Sequence, residues 1–203
     1  MKKVENTEER IINAARKVFL QKGMDGARMQ EIADEAGINK SLLHYYFRSK
    51  SKLFDKVFNE TFKSVTVVIN KVFATSDTLE SLIGNFVVNY TSTLREKPYI
   101  PNFVLHELSR NPQRFIELIT STDFDKAKII SLVAAESEDT IEAFDPIQII
   151  IDIIALCVFP FVAKPIIEGF IFDGNSDEYN SFIELRTQHI IEFVNKAVFK
   201  KMS

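Results

Sequence analysis

Residues that do chemistry are scarce in this chain of 203, which has three histidines, His44, His106 and His189, and a single cysteine, Cys157. The nearest thing to a metal-binding motif is His106-Glu107-Leu108-Ser109-Arg110. It carries Arg110 where a zinc-binding helix needs its second histidine one turn on. Cys157 sits in an apolar run with no basic neighbour to favour a thiolate, so inert core thiol is the plainer reading than redox sensor. No triad, Cys/His cluster or phosphate-cradling glycine loop emerges. The sequence therefore offers no catalytic residues, no metal ligands and no cofactor site, and points away from an enzyme. Charge is the remaining chemistry. Residues 1–56 hold 12 Lys+Arg against 8 Asp+Glu, a net of +4, whereas the whole chain carries 25 and 28. A small basic module joined to a larger acidic one suggests that the first meets phosphates, although a split of this size is equally compatible with chance.

The elements that position these residues read as helices. Apolar residues at 46%, with Phe used 18 times and Gly and Pro only 6 times each, describe a globular chain poor in turn residues. Asn6 caps a first helix with Ile11, Ile12, Ala15, Val18 and Phe19 on one face, ending at Lys22-Gly23. Met29, Ile32, Ala33 and Ala36 form a second, stopped by Gly37. Asn39 caps a third with a stripe of Leu42, Leu43, Tyr46 and Phe47, leaving Lys40, Ser41, His44, Tyr45 and Arg48 facing elsewhere. Ser49 caps a long fourth helix through Val72, and Thr78 a fifth that ends at Lys97-Pro98. Shorter pieces lead to the acidic stretch Glu136 to Asp139. Asp145-Pro146 opens an apolar helix in which Pro160 and Pro165 should produce kinks, and Ser176 to Lys200 forms the last. The longest uncharged run of the apolar segment 146–172 is Ile153 to Ala163, only 11 residues between Asp152 and Lys164, whereas a membrane span needs roughly 20. The N-terminus goes straight into charged residues, and a cytoplasmic protein with no membrane partner is expected. The expected class is all-α.

The second and third helices, about three residues apart around Gly37, have the geometry of a helix-turn-helix. That pattern alone also occurs in enzyme helix hairpins. The run Ile32-Ala33-Asp34-Glu35-Ala36-Gly37-Ile38-Asn39-Lys40-Ser41-Leu42-Leu43-His44-Tyr45-Tyr46-Phe47-Arg48-Ser49-Lys50, with Leu53 after it, resembles the signature of TetR-type (tetracycline-repressor-like) transcriptional regulators. His44, Ser41 and Asn39 stand where that family usually has Tyr, Gly and Ser. The resemblance implies a helix-turn-helix DNA-binding domain over residues 5–65, with the motif at about 28–47, and a helical effector-binding and dimerisation domain over 66–203. It implies that the third helix lies in the major groove, with Lys40, Ser41, His44 and Tyr45 toward the bases. Lysine can donate to guanine N7 and O6, a hydroxyl can meet either base type, and a ring can touch a thymine methyl. Tyr46 could pack its ring and still offer its hydroxyl to a phosphate. Lys50 corresponds to a phosphate-binding lysine. Asn39 belongs to the same DNA-facing set, and Arg28 and Gln30 correspond to positions at the DNA edge, a solvated helix start being the equal alternative.

For the second domain the resemblance implies a homodimer, through the helix from Pro146 and the last helix, which brings two recognition helices to a palindromic operator of double-stranded DNA. It also implies a pocket for a small, mainly hydrophobic effector whose binding releases the repressor. Phe62, Phe86, Tyr90, Phe103, His106 and Phe161 are expected to line it, with His106, Tyr90 or Glu107 giving the polar contacts. Each of these taken singly could be plain core. An activator or a ligand-independent regulator shares every DNA-binding residue, and a helical enzyme or adaptor is the alternative of a different class.

Overall fold

The computed structural model describes residues 6–135 and 145–199, helical almost throughout and without a β-strand among them. The first and last residues of the expected domains, the acidic stretch Glu136 to Asp139 and Lys200 lie outside the described residues. The chain divides into two compact units, residues 1–64 and 65–203.

In the first unit α1 spans Thr7–Gly26. Asn6 accepts from the Glu9 N–H at 2.8 Å while the Glu9 carboxylate accepts from the Asn6 N–H at 3.2 Å, a reciprocal cap that satisfies two otherwise orphan donors. Ile11, Ile12, Ala15, Val18 and Phe19 are buried, as the spacing predicts. Gly23 leaves helical geometry at φ +66°, where the regular part of the helix stops. α2 (Met29–Glu35) packs on α1, and α3 (Lys40–Tyr46) packs on α2. α4 runs from Lys50 to Thr75, so the division between the units falls within it. Its N-terminal half supplies Phe54, Phe58 and Phe62, all buried and stacked in series at 6.2 and 6.1 Å between centroids, with Phe19 set edge-on to Phe54 at 5.0 Å. These rings hold the first unit together.

The second unit is built on α5 (Leu79–Glu96), α9 (Pro146–Val162) and α11 (Ser176–Val198), which pack mutually. Between them in sequence come α6 (Ile100–Arg110), α7 (Pro112–Thr120) and α8 (Lys126–Ala135). Thr78, Asn111, Asp145 and Asn175 each cap the helix that follows with a side-chain oxygen. Pro160 is accommodated inside α9, and the helix ends at Val162. Beyond it α10 (Lys164–Ile166) and a π-helical turn (Ile167–Ile171) continue at a bend of 57°. No single helix among the described residues is long and apolar enough to cross a membrane. Val87, Leu94, Ile100, Cys157 and Ile190 form the most buried part of the core. The Thr91 and Thr187 hydroxyls, 2.9 Å apart, hydrogen-bond to each other between α5 and α11.

Cys157 is fully buried, and that burial pushes its thiol up to about 12, only partly opposed by the Arg186 guanidinium. A raised value means that the neutral thiol persists through the physiological range, and thiolate is the reactive form. Iodoacetamide at about pH 8 is therefore expected to leave Cys157 unmodified in the native protein while alkylating the urea-unfolded chain to completion, as read by intact mass. Native alkylation at the unfolded rate would contradict the buried, inert assignment.

Candidate functional site

The turn between α2 and α3 is closed by the backbone and clamped from α1. The Ile38 N–H donates to the Ala33 carbonyl at 3.0 Å and the Gly37 N–H to the Asp34 carbonyl at 3.1 Å, the paired bonds of a Schellman ending. Gly37 sits at φ +63°, in the left-handed region that a β-carbon disfavours. The Arg10 guanidinium donates through Nη2 to the Ala36 carbonyl at 2.6 Å and to the Gly37 carbonyl at 3.4 Å, adding a cation where the α2 dipole is negative. Arg10 was not among the residues the sequence singled out. Its only signal there is an arginine one turn into α1, which gives no hint of a partner 26 residues on. A β-carbon at Gly37 would lie 3.2 Å from Arg10 Nη2. Gly37→Ala is accordingly expected to destabilise the first unit by about 1–2 kcal/mol, chiefly through the positive φ, and to loosen the Arg10 clamp. Urea denaturation followed by circular dichroism checks the loss.

α3 rests on the clamped turn. Asn39 accepts from the Leu42 N–H at 2.8 Å, so its carbonyl oxygen is engaged as the cap of α3. Leu43 and Phe47, one turn apart, are the buried pair beneath the helix. The expected four-residue stripe is narrower than that, because Leu42 is exposed and Tyr46 is 40% exposed. A helix of only two turns buries one line of contacts. Lys40, Ser41 and His44 face solvent, and Tyr45 is 79% exposed with its ring edge-on to Tyr46 at 5.6 Å between centroids. These side chains form one outward face of donors and rings with no packing role.

Flanking residues fall into two groups. Lys50 was expected to reach a phosphate, but here its ammonium donates to the Asp25 carbonyl at 3.1 Å and the Ala27 carbonyl at 3.0 Å, tying the start of α4 to the end of α1. A lysine has three donors, so one is left for an anion. Arg28 is exposed, with its backbone N–H donating to the Glu31 carboxylate at 3.3 Å. Gln30 donates to Asp34 at 2.8 Å, one turn on, along the exposed side of α2. Lys17 and Lys22 pair with Glu35 and Glu31 at 2.6 and 2.9 Å. These two lysines are thus already matched by carboxylates.

The second unit contains a cavity of about 320 Å³. Its walls come from α4 (Val65, Ile69, Val72, Phe73), α5 (Leu79, Leu82, Ile83, Phe86, Tyr90), α6 (Pro101, Val104, Leu105, Leu108) and α9 (Ile149, Ile150, Ile153, Ile154, Val158). Phe115, Ile119, Phe124 and Ile129 complete it. Of the expected pocket residues, Phe86 and Tyr90 line this cavity. Phe62 does not, being stacked on Phe58 in the first unit. On α6 the cavity face is Pro101, Val104, Leu105 and Leu108. That rotation buries Phe103 and Glu107 elsewhere, with Glu107 facing Arg114 at 3.7 Å, and leaves His106 in solvent. Phe161 lines a second, more open cavity of about 550 Å³ together with Tyr99, Lys164, Glu168 and Tyr179. There Lys164 lies 4.8 Å over the Tyr179 ring and 3.3 Å from Glu168, which also accepts from the Ser176 hydroxyl. The Tyr179 hydroxyl donates to the Pro160 carbonyl at 3.2 Å. Lys164, Glu168 and Tyr179 in this second cavity are thus already engaged. Among the described residues no three His, Cys, Asp or Glu side chains converge as a metal site would require.

Residues 11–57 match the family described as bacterial regulatory proteins, tetR family. The HTH-type transcriptional repressor NicS of Pseudomonas putida is 38% identical over 60 residues, which are 30% of this chain and 28% of that protein. The Staphylococcus aureus negative transcriptional regulator IcaR of the icaADBC biofilm operon is 29% identical over 112 residues, 53% of this chain and 56% of its own. The matches thus span at most just over half the length of these relatives. The solved structure of the ketosteroid transcriptional regulator KstR2 of Mycobacterium tuberculosis superposes with a TM-score of 0.70 over 98% of each chain at 13% identity, which shows a common fold. The helix-turn-helix thus lies within the segment that matches the tetR family, and the fold is shared along the whole length with a solved transcriptional regulator.

Proposed function

We propose that the protein is a homodimeric cytoplasmic repressor that binds a palindromic operator and is released by a small hydrophobic effector. The observation that carries the DNA reading is the outward face of α3, where Lys40, Ser41, His44 and Tyr45 are exposed while Leu43 and Phe47 alone hold the helix down. Asn39, Tyr46, Lys50, Arg28 and Gln30 surround that face as backbone-contacting groups. A helix this short reads a half-site, and a twofold dimer places two such helices about 34–36 Å apart on one side of the duplex.

The dimer reading is supported by apolar side chains left in solvent along the two helices expected to form it. Ile147 and Ile151 lie one turn apart on α9, and Leu185 and Phe193 two turns apart on α11. Isolated soluble chains rarely expose apolar residues so densely. The release reading is supported by the cavity and by α4, which gives Phe54 and Phe58 to the first unit and Val65, Ile69, Val72 and Phe73 to the cavity wall. A ligand that binds better when α4 is displaced lowers operator affinity by that same difference.

Selection of bound duplexes from a random DNA library, run on the wild type and on Tyr45→Ala, tests the whole reading. The expected product is a palindrome whose recovery falls with Tyr45→Ala and whose affinity drops steeply with added salt. Enrichment of no sequence at low salt would overturn it, and operator affinity unchanged by a saturating cavity ligand would overturn release alone.

A further inference from the structure

We infer that the cavity of the second unit selects uncharged lipophilic molecules and meets at most one oxygen of its ligand, through the Tyr90 hydroxyl. This rests on the reading of that cavity as the effector site, and it names the chemical class of the effector.

Three observations carry it. First, every lining side chain other than Tyr90 is hydrocarbon. Second, Tyr90 is only 8% exposed, packs its ring against Phe86 at 5.1 Å, and makes no hydrogen bond through its hydroxyl to any described residue. That hydroxyl is thus a polar group on an otherwise hydrocarbon wall, open to a hydrogen bond from a ligand oxygen. Burial, with Cys157 acting in the same direction, holds the phenol above its ordinary value, so the group stays an O–H. It can donate to a carbonyl or accept from an alcohol. Third, no charged side chain lines the cavity, and two charged groups adjacent in the chain to lining residues are engaged elsewhere. Lys128 donates to the Phe73 carbonyl at 2.5 Å, and Glu107 lies 3.7 Å from Arg114. A carboxylate, sulfonate or ammonium would therefore enter a hydrocarbon-walled space with no counter-charge, losing its hydration uncompensated. At about 320 Å³ the space is at the lower end of ligand pockets, suited to one compact molecule.

The test uses the full chain and a matched pair of probes. N-Phenyl-1-naphthylamine is neutral and fluoresces in apolar surroundings, and 1-anilinonaphthalene-8-sulfonate has the same rings with an added sulfonate. Bound neutral probe is then displaced by 1-decanol, decanoate or decylammonium. The expected result is saturable binding of the neutral probe and displacement by decanol at concentrations about 100-fold below those of either ion. Tyr90→Phe is expected to weaken decanol about 3- to 10-fold while leaving the neutral probe nearly unchanged, the signature of one lost hydrogen bond. Val104→Trp, at a half-buried wall position, fills the space and abolishes binding, with circular dichroism confirming the fold. Decanoate or the sulfonate binding the cavity as well as their neutral counterparts would overturn the assigned class while leaving an effector cavity in place. Failure of every probe to bind the folded chain would overturn both. Decanol binding that leaves affinity for the selected operator unchanged would overturn release and leave the ligand class standing.

Discussion

Phe58→Ala is expected to abolish operator binding by unfolding the first unit, although Phe58 touches no DNA. The ring is fully buried and lies between Phe54 and Phe62 in the stacked series along α4. Truncating a buried phenylalanine costs about 3–5 kcal/mol through lost burial and the cavity left behind. A unit of some sixty residues has little stability in reserve, since folded proteins hold only about 0.05–0.15 kcal/mol per residue. Urea titration should show a transition at lower denaturant, and operator binding at about 37 °C should fall below detection. Leu42→Ala, at an exposed position on α3, is the control and should leave the transition within about 0.5 kcal/mol. A stable Phe58→Ala protein that still binds DNA would show that the aromatic series is not what holds the recognition helix in place.

The second large effect separates assembly from folding. Ile151→Glu combined with Phe193→Glu changes two side chains that are 54% and 55% exposed, so the fold of each chain should be retained and the thermal midpoint of the subunit little changed. On the dimer reading both carboxylates are driven into an apolar interface without partners, and association fails. Sedimentation should then report a monomer. Operator affinity should fall at least about 100-fold, because the second half-site is no longer tethered to the first. A dimer that persists in the double variant would place the interface elsewhere on the second unit.

How far the sequence carried the structure depends on what kind of signal each element emits. Capping residues emit a local one: Asn6, Asn39, Thr78, Asp145 and Asn175 stand where the helices begin, because a side-chain oxygen two or three residues before an orphan N–H can do little else. Gly23 and Gly37 marked interruptions for the same reason, and both lie at positive φ. Helix rotation was less legible. On α6 the apolar positions 100, 101, 103, 104, 105 and 108 run almost all the way round, so periodicity could not say whether Phe103 or Val104 faced the cavity, and the choice of Phe103 and His106 missed by about one residue. On α3 the aromatic stripe suggested more burial than two turns can provide. Contacts across the chain were not legible at all. Arg10 to Ala36 and Lys50 to Asp25 join residues about 25 apart through backbone carbonyls, which have no sequence identity to betray them.

On the proposed reading, the division of roles on α3 bears on how such a protein changes its target. Leu43, Phe47, Gly37 and the Arg10 clamp fix where the helix lies, and none of them is on the face formed by Lys40, Ser41, His44 and Tyr45. Those four can be exchanged with little consequence for folding. A gene copy could therefore drift toward a new promoter through a handful of codon changes while its scaffold stays under purifying selection, and a library randomised at these four codons would be a compact starting point for building regulators of chosen sequences.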